Sequence, residues 1–515
     1  MGGRGVITVI GMDGSALGPQ AGAALAAATL VVGARRHLAA ASALASAVTA
    51  PARAVTAATA PPGAAAAGVP PHAQVIALGQ VAPALDALAA HHGDAVVLAS
   101  GDPGFFGIVR ALRERGLDCT VLPAVSSVAL AFARAGLPWD DAAVVSGHGR
   151  DARPAVNVCR AAPKVAVLTG PGCGPAEIGT ALDGWERRLI VAEHLGTGHE
   201  QLTECSPAGA AGRTWDDPNV VLVLAPPGGA WPPQPPRPSW MWHCCPARAT
   251  SIASMPGGAG HPAAAGWALG EEEFDSRDAV LTKAEVRALA LARVGPAPGM
   301  LVWDVGAGSG SVGIECGRFG AAVIAVERDA VRCERARANA ARHGVDVRIV
   351  PGEAPAALEK LPAPDAVFVG GGGPAVIEAV AARRPARIVV ALAAIERAGP
   401  AIAALTAAGY ATGGALVQAS RLAPLPGDVH RLAAINPVFL AWATAGPVTT
   451  GPVSPAHPAA PGIGATERAG PAAPGPRSTE LLSRDRPAAA GIAPAAGRTD
   501  PDGHGPRDAG PGAPR

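Results

Sequence analysis

The stretch Val302-Trp303-Asp304-Val305-Gly306-Ala307-Gly308-Ser309-Gly310-Ser311-Val312 reads as an apolar strand entering a turn with three alternating glycines and leaving it as a helix. Glycine takes positive φ without a Cβ penalty and lets a ligand reach main-chain N–H groups. The pattern therefore marks a strand–loop–helix unit at the binding edge of a parallel sheet. Glu327 follows the next strand, 21 positions after Gly306, where an acidic side chain can accept both hydroxyls of a ribose.

Two cofactors suit such a loop. Gly308-Ser309-Gly310-Ser311-Val312-Gly313 satisfies G-x-G-x-x-G, the signature of a dinucleotide whose pyrophosphate rests on a helix N-terminus. Asp304 to Gly310 also satisfies Asp-x-Gly-x-Gly-x-Gly, the commoner pattern for S-adenosylmethionine. That molecule has no phosphate, and its ammonium favours a carboxylate near the turn, which Asp304 offers. On the loop alone, a methyltransferase, an NAD-linked oxidoreductase and a turn that binds nothing all stay open.

Outward from the loop, helices are expected at Lys283–Val294, Ser311–Phe319, Ala330–His343 and Ala354–Leu361. Strands are expected at Leu301–Val305, Ala322–Val326, Val347–Val350, Ala366–Val369 and Ile388–Leu392. Residues 1–224 show the same alternation, with seven strand candidates from Val6–Ile10 to Val220–Leu224 and five helical runs; 39–68 is too low in complexity to assign. Residues 225–264 are a Pro/Gly-rich linker and 443–515 a tail without periodicity, both expected to be disordered. The fold class is α/β, with domains at 1–224 and 265–442. So few linker groups can join a shared core that each half should fold alone.

A chain of 515 residues with 42 basic and 41 acidic side chains presents no general field for nucleic acid or an anionic membrane. No apolar run is long enough to span a bilayer. The eight cysteines contain no Cys-x-x-Cys and read as free thiols of a reducing, cytoplasmic compartment. His243, Cys244, Cys245 and His261 match zinc spacing poorly, so no metal is expected.

Thr282-Lys283-Ala284-Glu285-Val286-Arg287-Ala288-Leu289, the Gly306 loop, Gly352-Glu353-Ala354-Pro355 and Val367 to Gly373 resemble the C-terminal half of decarboxylating precorrin-6Y C(5,15)-methyltransferases. The N-terminal half resembles the same family's tetrapyrrole methylase domain. It does so through Val9-Ile10-Gly11, Val32-Gly33-Ala34-Arg35-Arg36-His37, Ala99-Ser100-Gly101-Asp102-Pro103-Gly104-Phe105-Phe106-Gly107, Pro123 to Val128 and Ser146-Gly147-His148-Gly149-Arg150. The family pattern has a second glycine where Met12 stands, and two polar groups that Ala391 to Glu396 lacks.

The resemblance implies a two-lobed methylase domain followed by a Rossmann-like class I methyltransferase domain. It implies S-adenosylmethionine bound by Gly101, Asp102, Phe106, Ser126 and Ser127 in the first. In the second it implies Thr282, Gly306, Ala307, Gly308, Ser309, Gly310, Glu327, Glu353 and Ala354. The implied reaction is methylation of precorrin-6B at carbons 5 and 15 with loss of an acetate carboxyl, in cobalamin synthesis, by a homo-oligomer. A first domain that only scaffolds tetrapyrrole is the other reading. The macrocycle supplies the nucleophile, so no catalytic triad is expected and no catalytic residue is singled out. Arg35, Arg36, His37 and Arg421 are candidates, by residue type, for holding substrate carboxylates.

Overall fold

Short β-branched runs flanked by Ala/Leu-rich helices build three sheets in the computed structural model, which describes residues 5–49, 68–79, 81–149, 151–226, 266–276 and 281–446. The histidine–cysteine group of the linker and nearly all residues expected to be disordered lie outside these ranges. No helix among the described residues is long and apolar enough to cross a membrane.

The first sheet is wholly parallel, in the order β3-β2-β4-β1-β5: β1 Ile7–Met12, β2 Leu30–Gly33, β3 Gln74–Ala77, β4 Ala95–Ser100 and β5 Thr120–Leu122. Its central strands are buried on both faces, which is why they read as unbroken apolar runs. The second sheet is mixed, in the order β6-β7-β10-β8-β9: β6 Ala143–Ser146, β7 Lys164–Leu168, β8 Arg188–Glu193, β9 Gln201–Cys205 and β10 Asn219–Leu224. These two sheets are the two lobes of the first domain.

The third sheet has seven strands in the order β13-β12-β11-β14-β15-β19-β16. Five are parallel: β11 Leu301–Val305, β12 Ala322–Glu327, β13 Val347–Pro351, β14 Ala366–Val369 and β15 Arg387–Leu392. The last strand, β19 Val438–Ala445, runs antiparallel between β15 and β16 Tyr410–Val417. A dinucleotide-binding sheet continues with a parallel sixth strand, so this edge departs from that plan. Strands β17 Ser420–Leu425 and β18 Val429–Ala434 form a separate hairpin.

One expectation needs correcting. Ala354–Leu361 is not a full helix; only the turn Ala356–Leu358 forms between β13 and β14. The sheet face beneath is covered instead from the first domain: Trp185 joins the apolar cluster of Trp303, Ile324, Leu358 and Leu361, with Ala161 packed against it. The halves are joined by a built interface in which Arg153 bonds Asp365 at 2.8 Å, Asn157 bonds the Gly299 carbonyl at 3.0 Å, and Arg348 reaches the Asp183 carbonyl at 3.1 Å. The Arg160 and Arg348 guanidinium groups both stack on Trp185, at 4.5 and 4.7 Å from the ring centroid.

Candidate functional site

Strands β11 and β14 are neighbours in the third sheet, and their connections leave in opposite directions, β11 toward β12 and β14 toward β15. The crevice between them is the switch point where open parallel sheets bind ligands. Both strands end in glycine loops that meet there. Gly306, Gly308 and Gly310 have φ of +74°, +58° and +79°. A Cβ on Gly306 would lie 2.9 Å from the backbone nitrogen of Gly371, and the Gly370 N–H donates to the Val305 carbonyl at 2.8 Å.

Glu327 ends the adjacent strand β12 and is 5% exposed. One of its carboxylate oxygens accepts from the Gly308 N–H at 2.8 Å and the other from Asp329 N–H at 3.0 Å. The side chain therefore shapes the glycine loop and keeps lone pairs for further donors. Gly352 donates to the Glu327 carbonyl at 2.9 Å, so Glu353 and Ala354 stand beside it at the end of β13; Glu353 is tied at the surface to Arg328, at 3.2 Å. Ala307, Ser309 and Gly310 lie in the loop itself, and the Ser309 carbonyl accepts from Asn339 at 3.0 Å.

Asp304 does not face this crevice. Its carboxylate accepts from the Gly313 N–H at 2.8 Å, pinning the helix Ser311–Arg318 to β11. Burial pushes its pKa up to about 7, with the Glu327 charge adding to the rise. The carboxylate thus works on the helix side of the sheet, and the expectation that it draws an ammonium is withdrawn.

Thr282 is held through its carbonyl, which accepts from Arg287 at 2.6 Å. Arg287 is fully buried, paired with the equally buried Glu315 at 2.5 Å. The other Glu315 contacts are the Ala268 and Leu269 N–H groups, so this pair staples the segment before the helix Ala284–Val294 to the domain. Asn339 bonds the backbone of Asp275 as well as Ser309, carrying the same segment to the glycine loop. Arg287, Glu315 and Asn339 escaped the sequence reading. A fully polar residue on an apolar helical face was the available signal.

Arg421 is not free for substrate. Its guanidinium is held by two carboxylates, Glu285 at 2.7 and 2.9 Å and Glu271 at 2.8 Å. The arginine's hydrogen bond holds the Glu271 carboxyl down at about 2.

In the first domain the loops after β1, β4 and β5 converge. Gly101, at φ +55°, donates to the Met12 carbonyl at 2.7 Å, and a Cβ on it would sit 3.0 Å from the Ser126 Cα. The close approach that the family pattern puts at position 12 is met at Gly11, where a Cβ would fall 2.1 Å from the Gly101 oxygen. Asp102 accepts from Gly104 N–H at 2.8 Å, closing a turn. Ser126 caps the helix Ser127–Ala135 by accepting from Ala129 N–H at 3.1 Å, and a Cβ on Gly101 would lie 3.2 Å from the Ser127 nitrogen. Phe106 stands out, 42% exposed at φ +55°. Asp13, which sequence reading passed over, ties two loops by accepting from Ser15 N–H at 3.0 Å and Val125 N–H at 3.2 Å. His148 is exposed. Arg36 and His37 meet at Ser100, at 2.8 and 3.0 Å.

Residues 10–211 match the family described as Tetrapyrrole (Corrin/Porphyrin) Methylases, and residues 273–445 match the Precorrin methyltransferase domain. A precorrin-6Y C(5,15)-methyltransferase [decarboxylating] of Sinorhizobium sp is 37% identical over 286 residues, 54% of this chain and 62% of the relative. The enzyme of that name from Mycobacterium tuberculosis (strain CDC 1551 / Oshkosh) is 32% identical over 321 residues, 59% of this chain and 71% of the relative. A probable cobalt-precorrin-6B C(15)-methyltransferase (decarboxylating) of Pyrobaculum calidifontis is 40% identical over 130 residues, 24% of this chain and 67% of the relative. These matches decide between the cofactor chemistries the glycine loop left open, in favour of methyl transfer. The chain belongs to the family of decarboxylating precorrin-6Y C(5,15)-methyltransferases.

Proposed function

We propose that this chain methylates two bridging carbons of precorrin-6B, carbons 5 and 15, and removes the carboxyl of an acetate side chain, as a step toward cobalamin. The observation that carries this reading is the presence, in family order, of two methyltransferase domains in one chain. In this reading residues 1–224 methylate carbon 5, and residues 265–442 methylate carbon 15 and decarboxylate. The separate C(15)-methyltransferase of Pyrobaculum calidifontis supports a division between domains.

S-adenosylmethionine is the methyl source in both sites. Its fit to the second domain is supported by the Gly306–Gly310 cradle, whose positive φ values disfavour ordinary side chains, and by the Glu327 carboxylate beside it. When bound, it supplies an electrophilic methyl group. Glu327 would accept the ribose hydroxyls while holding Gly308. Asp304 fixes the helix behind the loop, and Glu353 and Ala354 would help to hold the adenosine. In the first domain Gly101, Asp102, Phe106 and the main chain of Ser126 and Ser127 form the corresponding rim. Displacement at the methyl carbon is in line, so orientation and exclusion of water do most of the work.

The described cysteines are free thiols, which supports a reducing, cytoplasmic setting. Self-association is supported by the β17–β18 hairpin, where Leu422 and Leu432 face each other across the strands while 72% and 69% exposed. The test is incubation with precorrin-6B and methyl-labelled cofactor. Two labelled methyls and one lost carboxyl support the reading; a product with one methyl from an intact chain overturns it in favour of a scaffolding first domain.

A further inference from the structure

Several of the described arginines pair with acids. Arg153, Arg187, Arg287 and Arg421 each close on a carboxylate, so their charge is spent inside the protein. Arg36 is held differently. One terminal nitrogen donates to the Ser100 hydroxyl at 2.8 Å, and its Nε donates to His37 Nε2 at 3.3 Å. Both acceptors are neutral: burial, with the arginine's own charge, takes His37 down to about 4. The guanidinium is oriented by two partners and neutralised by neither.

Its surroundings add positive potential. Arg35 and Arg36 open the helix Arg35–Thr49, whose first turn holds no acidic residue, so two cations sit at the positive end of the helix dipole. That arrangement costs stability unless an anion completes it. The acids of the neighbouring loops are bonded to other donors, Asp13 to Ser15 and Val125, Asp102 to Gly104. Ser100 directly precedes Gly101 and Asp102, which sets Arg36 at the binding edge of the first sheet.

We propose that Arg36, assisted by Arg35, binds a side-chain carboxylate of the tetrapyrrole in the first domain and so orients the ring for methylation there. This rests on the functional reading above; of the residues that the sequence offered by type alone it selects Arg36, and Arg421 is excluded by its two carboxylates.

The test uses the full chain and uroporphyrin, a polycarboxylated tetrapyrrole, titrated by absorbance, with cofactor binding measured by calorimetry. Arg36→Met should weaken one class of porphyrin site roughly ten- to a hundredfold, as loss of a charge-assisted fork implies. Arg36→Lys should fall between, and cofactor affinity should hold. Unchanged porphyrin binding, or an equal loss of cofactor binding, overturns the proposal. A chain that binds uroporphyrin through Arg36 but transfers no methyl group overturns the functional reading and leaves this one standing. A chain that methylates twice with undiminished efficiency as Arg36→Met does the reverse.

Discussion

Arg187 in the first domain lies 2.7 Å from Asp346 in the second, with only 1% of the arginine side chain exposed. The same guanidinium donates to the carbonyls of Cys159 and Glu186, both at 2.9 Å. Removing the acid leaves a buried cation with neutral partners only. Asp346→Ala should therefore cost about 1.5–3 kcal/mol, the range for a hydrogen bond to a charged group. Chemical denaturation of the full chain reads this directly. A loss under about 0.5 kcal/mol, the size of an exposed pair, would show that the contact contributes little.

Glu327→Ala removes the acceptor of both Gly308 and, in the proposed function, the ribose. Calorimetry with S-adenosylmethionine should show a loss of ~1–3 kcal/mol at one site. Glu327→Gln retains one acceptor and should recover part of it. Unaltered affinity would refute the assignment.

Gly308 sits at φ +58°, where a side chain is strained, in the loop that borders the crevice. Gly308→Trp should abolish decarboxylation and one methylation while the first domain still binds cofactor. Asp102→Ala, which opens the turn to Gly104, should let the decarboxylated, singly methylated product accumulate. Mass analysis separates these outcomes. Loss of both methylations in either variant, with the other site still binding cofactor, would favour a single shared site.

Asp304 gives stability a pH dependence. Its pKa stands at about 7 in the folded chain against 3.8 ordinarily, so the folded state holds the proton more tightly. Its contribution is full below pH about 4 and is lost as pH rises through about 7. Asp304→Asn should flatten that part of the profile and be relatively more stable near pH about 8. Parallel slopes in urea unfolding across this window would contradict the assignment.

The β17–β18 hairpin predicts a fifth result. Leu422→Lys with Leu432→Lys should shift the mass seen by light scattering toward the monomer while methyl transfer to a soluble substrate persists. An unchanged mass would count against association through this surface.

Strands β11, β12 and β14 were legible in the sequence because burial on both faces makes them unbroken apolar runs between turn residues. Strand β16 was not, because Gly413 and Gly414 interrupt it. Those positions are glycine for packing: a Cβ would come within 2.6 Å of Trp442 and of Phe439 on the neighbouring strand. The positions of Gly306 and Glu327 could be read from spacing alone, but the direction of Asp304 could not. Alternation along a strand does not say which face looks into a crevice. The interface between domains was hidden for a related reason: Arg153, Asn157 and Arg348 are residue types that sequence assigns to solvent.

The one-turn link Ala356–Leu358 makes the third sheet a borrower. A β–α–β crossover ordinarily brings its own helical cover, and here that cover arrives from another part of the chain as Trp185 and Ala161. Covalent continuity through residues 227–265 is then a convenience of delivery rather than a condition of assembly. Two polypeptides divided there and synthesised together should recognise each other through Trp185 and co-purify, whereas the second made alone should present a bare apolar face and seek a substitute.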